Sequence, residues 1–457
     1  MQMLQTTERA DLAAVAADVE RDVLAAVASG VAAVVVLAPP GAGKTRLVED
    51  VALGVSGGLH QTVCIGCGTV AQVEDVARRL ATSSSAEVVI YGASRYELPR
   101  ALAGVGVEVT TSGPDVLFAA ESGKVLVATT AKLAAVQVLD GQIDVLIIDE
   151  AWQLADYVGA KVTPVGRRLV LIGDPGQIPP VVTADVSRWR DHPDGPHVAL
   201  PAALMARFPE ALSVHRLVAS RRLPAESARI VGSAFYPDLP FGSLAPEARL
   251  GLASPAGGEH RDTLELIGNG RTLVMESVAC GDMGIEQGVG EAIVSFVADL
   301  LAHGPSRICG EVQRPLGVDD LGVVCSRVHQ VAAVRAGLAS RGLDVRVETA
   351  ERWQGLEREV VIVFHPASLD GAGTGFAVQA GRMCVMTSRH RLACVVVAHA
   401  GVEEAVAGAG GRSRQLGFGV DEEYRGWLAN MGLIATLRRN GSVTECRSES
   451  DAAPHGW

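Results

Sequence analysis

"VAAVVVLAPPGAGKTRLVED", residues 31–50, decides how the chain is read. Val34, Val35, Val36 and Leu37 form an apolar run, the mark of a buried strand. Pro39, Pro40 and Gly41 stop it, and a helical pattern begins at Lys44. The stretch fits G-x-x-x-x-G-K-[ST], with Ala38 at the first glycine position. The chemistry needs these residue types. Gly41 and Gly43 let the backbone wrap closely around phosphates, and the helix N-terminus attracts their charge. Pro40, Gly41, Ala42, Gly43, Lys44 and Thr45 are therefore the candidate nucleotide loop. Lys44 suits the β- and γ-phosphates of a nucleotide, and the Thr45 hydroxyl suits Mg²⁺.

Two later stretches belong with this loop. "VLIIDEAWQLAD" (145–156) drives a buried strand to Asp149 and Glu150 at its carboxyl end, where ligands sit in open α/β sheets. Asp149 can hold Mg²⁺, and Glu150 can activate a water as general base. "LVLIGDPGQIPP" (169–180) is a second buried strand stopped by Gly173, Asp174, Pro175 and Gly176. Gln177 follows, a neutral amide able to bond both a γ-phosphate oxygen and a water. Its strand is expected beside the Asp149 strand.

Bulk properties set the limits. The chain has 457 residues, which suggests two or three domains at about 150 residues each. Hydrophobic residues make up 48%, enough for sizeable cores, and aromatics only 4%. The formal net charge of -12 excludes a basic nucleic-acid coat. The polar N-terminal segment, with Glu8, Asp11, Asp18 and Glu20, does not read as a signal peptide. "VAAVVVLA" is far shorter than the ~20 residues that span a bilayer. The expectation is a cytoplasmic protein with no membrane partner. Among eight cysteines, Cys64 and Cys67 form one C-x-x-C. It lacks the second pair or the spaced histidines of a zinc site, so both read as small buried residues.

Strand and helix patterns alternate along most of the chain, which argues for parallel sheets covered by helices. A helix is expected over 9–29. "QTVCIGC" precedes the helical "VAQVEDVARRLA", and "KVLVATT" precedes "AKLAAVQVL". A second alternating region, roughly 260–400, contains "EAIVSFVADLLAHG", "LGVVCS", "VHQVAAVRAGLASRG", "EVVIVFH" and "LACVVVAH". "AGAGGRSRQLGFG" reads as a linker, "DEEYRGWLANMGLIATLRR" as a helix and "SVTECRSESDAAPHGW" as a disordered tail.

The order "APPGAGKT", "DEAWQ", "GDPGQIPP" resembles superfamily I helicases, in particular the group around the nonsense-mediated RNA decay helicase. The likeness continues through "ASRRLPAESARIVGSAFY" (219–236), "VETAERWQGLEREVVIV" (347–363) and "VMTSRHRLACVVV" (385–397). Thr349, Glu351, Trp353, Gln354, Gly355 and Glu357 fall on that group's T-x-D-x-F-Q-G-x-E pattern. "GTVAQVEDV" (68–76) and "ATTAKL" (128–133) resemble its early segments that grip the nucleic-acid backbone. The resemblance, over about 35–400, implies an α/β fold of two tandem RecA-like domains with ATP bound in the cleft between them. The domains would be residues 1–210 and 211–402, followed by 403–457. It implies arginine fingers at Arg222 and Arg389, a ribose contact at Glu357 and coupling of the two sites through Gln354 and Gly355. It places Thr69, Thr129 and Thr130 on nucleic acid.

The chain also departs from the pattern. The family's adenine-reading glutamine is missing from "ERDVLAAV" (20–27). Arg221 stands where a tyrosine is usual, and His390 where a small residue is usual. Thr69 and "VLVATT" are too close for the small barrel that relatives insert. Tyr91, Tyr96 and Trp152 are candidate base-stacking aromatics. The leading expectation is a translocase or helicase that hydrolyses ATP on single-stranded DNA or RNA. The alternative is an ATP-driven switch that engages a protein partner.

Overall fold

The computed structural model describes residues 2–84, 86–182, 185–189, 192, 195–370, 378–409 and 422–446. The valine and isoleucine runs build a first sheet from β1 (Ala33–Leu37), β2 (Val63–Cys67), β3 (Val88–Tyr91), β4 (Val107–Thr110), β5 (Val125–Thr129), β6 (Ile143–Ile148), β7 (Gly166–Gly173) and β8 (Leu212–Arg216). Their order is β4-β3-β5-β2-β6-β7-β1-β8, and every pair is parallel. Parallel strands are buried on both faces, which explains their continuous apolar runs. On one face Val34, Val36 and Ile65 pack with Val48 and Val51 of the helix Lys44–Leu53 and Val76 of the helix Val70–Ser83. On the other, Val35 and Leu126 pack with Val116 and Leu133.

The same alternation resolves the C-x-x-C. Cys67 lies in the first core and Cys64 in the second, on opposite faces of β2. Both are free and buried, and burial pushes the Cys64 thiol up to about 12. They are packing residues, as their sequence context indicated.

Several expectations change. The first helix runs over Gln2–Ala28 and so begins earlier than residue 9. "AKLAAVQVL" yields only the short helix Thr130–Ala134. The segment between Thr69 and β5 forms β3, β4 and the helix Gly113–Glu121, which extend the sheet at one side. β8 pairs with β1, so residues 212–216 belong to the first sheet, and the first unit reaches Ala219 where a border at 210 was expected.

The second unit holds a six-stranded sheet, again parallel throughout. Its order is Arg346–Thr349, Leu321–Cys325, Arg358–Phe364, His390–His399, Leu273–Val278 and Val443–Glu445. A separate antiparallel sheet joins Arg249–Leu252, Pro305–Cys309 and Val312–Pro315. The expected helix of the C-terminal region is Glu422–Arg439. The expected disordered tail begins differently: Val443–Glu445 pairs with Leu273–Val278 as an edge strand. Most of the Gly-rich stretch, 410–419, and the tail from 447 lie outside the described residues. Among the described residues no helix is long and apolar enough to cross a membrane.

Trp353 organises part of the second core. It is fully buried, and its Nε1 donates to the Val323 carbonyl at 3.0 Å. Any Cβ at Gly322 would come within 2.3 Å of its ring. Trp353→Ala should therefore destabilise the second unit by about 3–5 kcal/mol, measured as a lowered urea midpoint with an unchanged denaturant slope.

Candidate nucleotide site

The first-unit site is built at the carboxyl ends of β1, β6 and β7. After β1, the Ala38 amide donates to the Gly173 carbonyl at 2.9 Å, which fastens the loop to the end of β7. Ala38 is fully buried, so the small side chain at the motif's first glycine position is accommodated. Gly41 has φ 71° and Gly43 φ 90°, left-handed values that favour glycine. Gly43 caps the helix Lys44–Leu53 without any side-chain hydrogen bond. The cap offers the first-turn amides no side chain, an arrangement that suits an anion.

The Lys44 ammonium stands 3.7 Å from Glu150 Oε1 and 3.8 Å from Asp174 Oδ2. Asp174 is buried, although the sequence marks it only as a turn residue. Its signal was available: an acid directly after a buried strand adjoining the Asp149 strand. β6 and β7 are indeed neighbours in parallel register.

Asp149 follows β6, and its amide donates to the Gly66 carbonyl at 3.0 Å. Its Oδ1 accepts the Glu150 amide at 2.9 Å. Burial, reinforced by the Glu150 charge, pushes the Asp149 carboxyl up to about 7. A divalent cation there would favour the ionised form. Glu150 has φ 52° and ψ 40°, a left-handed conformation that is uncommon for a residue with a side chain. The strain fits a site that must aim one carboxylate. Donor chemistry and loop geometry both suit a magnesium nucleotide: two hard oxygen groups, Thr45 and Asp149, beside a glycine-shaped anion cradle.

The remaining residues expected around the nucleotide group in the second unit. Gly176–Ile178 make their contacts there, although β7 belongs to the first. Gln177 Oε1 accepts from Arg389 Nη2 at 2.9 Å, and both residues are buried. A Cβ on Gly381 would lie 2.3 Å from the Gln177 carbonyl oxygen, so only glycine admits this approach. Arg222 donates to Glu357 through Nε and to the Ser388 carbonyl through Nη1. Arg391 donates to the other Glu357 oxygen. Burial opposes ionisation of Glu357, but the Arg222 and Arg391 guanidiniums overcome it and hold its carboxyl below the usual range. His390, the departure next to Arg389, is fully buried and bonded to the Ser227 hydroxyl at 2.6 Å. Burial and the Arg222 charge push it down to about 3, so it is neutral. Gly355 has φ 80°, which turns the chain after Gln354.

The candidate nucleic-acid threonines have structural work. Thr69 caps Val70–Ser83 in a reciprocal box with Gln72. Thr129 caps Thr130–Ala134 by accepting the Lys132 amide, and Thr130 is buried. The aromatic candidates are also engaged. Tyr91 lies beneath Lys132 Nζ, Tyr96 donates to Glu74, and Trp152 packs against the Gly173 backbone.

Comparison with known proteins adds family information to this geometry. A family model described as AAA domain matches residues 118–185, and a second of the same description matches 286–401. The first match falls almost wholly in the first unit and the second within the second unit, and together they cover less than half of the chain. No curated protein matches it. Among solved structures, arterivirus nonstructural protein 10 (helicase) shares 15% identity over 80% of this chain and 60% of its own, with a TM-score of 0.43. Its complex with DNA gives 15%, 80%, 61% and 0.43. The PRRSV helicase gives 13%, 93%, 67% and 0.41. This chain thus spans about 60% of the arterivirus helicase chains it matches.

The Glu357 clamp makes a measurable prediction. Glu357→Gln removes the charge partner of Arg222 and Arg391 and should lower stability by about 1 kcal/mol at pH 7, after discounting for partial exposure. A depressed carboxyl pKa contributes stability above its unfolded value of about 4.3, lost as pH falls through the folded value. Urea midpoints of the two proteins should therefore differ at neutral pH and converge by about pH 2.

Proposed function

We propose that the chain hydrolyses ATP and uses the cycle to move along single-stranded nucleic acid. The observation that carries the nucleotide half is Lys44 poised between Glu150 and Asp174 behind the Gly41–Gly43 loop. The loop amides and Lys44 bind the phosphates. Thr45 and Asp149 would hold Mg²⁺, which supplies charge neutralisation on phosphate oxygens. Glu150 takes the proton of the attacking water. Arg222 and Arg389 are assigned, by the family resemblance, the charge that builds up in the transition state. The nucleic-acid half rests on the two AAA domains and the order of the motifs.

Steady-state ATPase activity with and without single-stranded DNA and RNA tests the whole reading. Stimulation by one polymer, absent in Lys44→Ala, is the expected result. A basal rate indifferent to both polymers would overturn the motor. It would favour the switch acting on a protein partner, which the -12 net charge also suits.

Glu150→Gln should keep ATP affinity within a few-fold while turnover falls by about 10²–10⁴. Equilibrium binding of a fluorescent ATP analogue beside single-turnover hydrolysis separates the two effects. Retained turnover would remove Glu150 from the base role.

A further inference from the structure

Both chain neighbours of Arg389 are bonded to one stretch of the second unit, the stretch that carries Arg222. Before it, the Ser388 carbonyl accepts from Arg222 Nη1 at 3.3 Å. After it, His390 Nε2 is 2.6 Å from the Ser227 hydroxyl oxygen. Ser227 lies in the first turn of the helix Ala225–Phe235, shortly after Arg222. His390 and Ser227 are both fully buried, which shields their bond from bulk water. Ser227 is held from its other side as well. Its hydroxyl is 2.8 Å from Thr272 Oγ1, and the Thr272 amide donates to Glu226 Oε2 at 2.8 Å. Arg271 Nη1 donates to the other Glu226 oxygen at 2.7 Å.

The sheet by itself does not fix this place. The Arg389 carbonyl accepts the Arg358 amide at 3.0 Å, and Arg358 is in register with His390. The next residues in register are Val360 and Ala393. One strand advances by two residues and the other by three, so a bulge interrupts the ladder directly after His390. A bulge bends its strand and re-aims side chains. The direction of Arg389 therefore depends on bonds outside the ladder.

We propose that His390 is a positioning residue for Arg389: its bond to Ser227 sets the direction of that arginine relative to Arg222. The inference rests on the ATP hydrolysis proposed above, in which both guanidiniums meet the charge of the transition state. His390 itself touches no reacting atom. A neutral imidazole makes the tie without adding a positive charge beside Arg222. Either neutral tautomer serves, because a hydroxyl can accept from an N–H or donate to a ring lone pair. Misplacing a reacting group by about 1 Å can cost about a hundredfold in rate. Cutting the tie should therefore lower turnover and leave nucleotide affinity nearly unchanged.

The test measures single-turnover ATP hydrolysis and binding of a fluorescent ATP analogue in the full chain. His390→Asn carries an amide that stops short of the Nε2 position. It should slow hydrolysis by about 10–100-fold and change affinity by less than about twofold. His390→Gln carries an amide that reaches that position and should recover most of the rate. Ser227→Ala cuts the same bond from the other side. It should show the same loss, and it keeps the test open if His390→Asn fails to fold. In an Arg389→Ala background, His390→Asn should cost less than about twofold, because no arginine is left to aim. An equal loss with and without Arg389 would overturn the positioning role. So would wild-type turnover in both His390→Asn and Ser227→Ala. A wild type that does not hydrolyse ATP would instead remove the proposed function, and this inference with it.

Discussion

A parallel sheet buried on both faces leaves polar chemistry very little room, and that constraint organises the first unit. Its strands are apolar because helices cover both sides. The carboxyl strand ends are where the chain can turn, expose amides and place acids. Asp149, Glu150 and Asp174 stand within two residues of such an end, and Lys44 follows the loop that leaves a third. Their placement follows from sheet order: β1, β7 and β6 are consecutive neighbours, so three loops converge on one patch.

The charges in the two units are held differently. Lys44 is more than 3.5 Å from either carboxylate, close enough for attraction and too far for a hydrogen bond. Its ammonium is steadied without being tied down. Arg222, in contrast, is hydrogen-bonded to Glu357 and to the Ser388 carbonyl, and Arg389 to Gln177. These planar groups are oriented by directional bonds, which suits guanidinium chemistry. The neutral His390 lies beside them without adding charge.

Much of this was legible in the residues. The valine runs announced the sheets, and "GAGKT" and "DE" announced the first-unit site, because those features are local. What depended on distant contacts was not legible. "VVIY" and "VEVT" are four-residue strands that only pairing with β5 and with each other makes recognisable. Val443–Glu445 lies in a polar stretch and becomes a strand through Leu273–Val278, far away in sequence. Asp174 looked like punctuation because its partner, Lys44, arrives from another strand end. The left-handed backbone of Glu150 had no sequence signature either, since glutamate gives no hint of positive φ. The threonines 69 and 129 show the reverse problem: their family positions suggested a ligand, and the helix caps account for their hydroxyls.

The position of the 443–445 strand has a consequence for biogenesis. During synthesis the chain emerges from its N-terminal side, and domains tend to fold as units in that order. Everything in the first sheet has been made once β8 is complete. The second sheet must wait for more than two hundred further residues before its edge strand can dock beside Leu273–Val278. On a translating ribosome, the Gly41–Gly43 loop would thus be assembled while the second sheet still had an open flank. That flank is unpaired backbone, and a chaperone has most to protect there until residues 443–445 emerge.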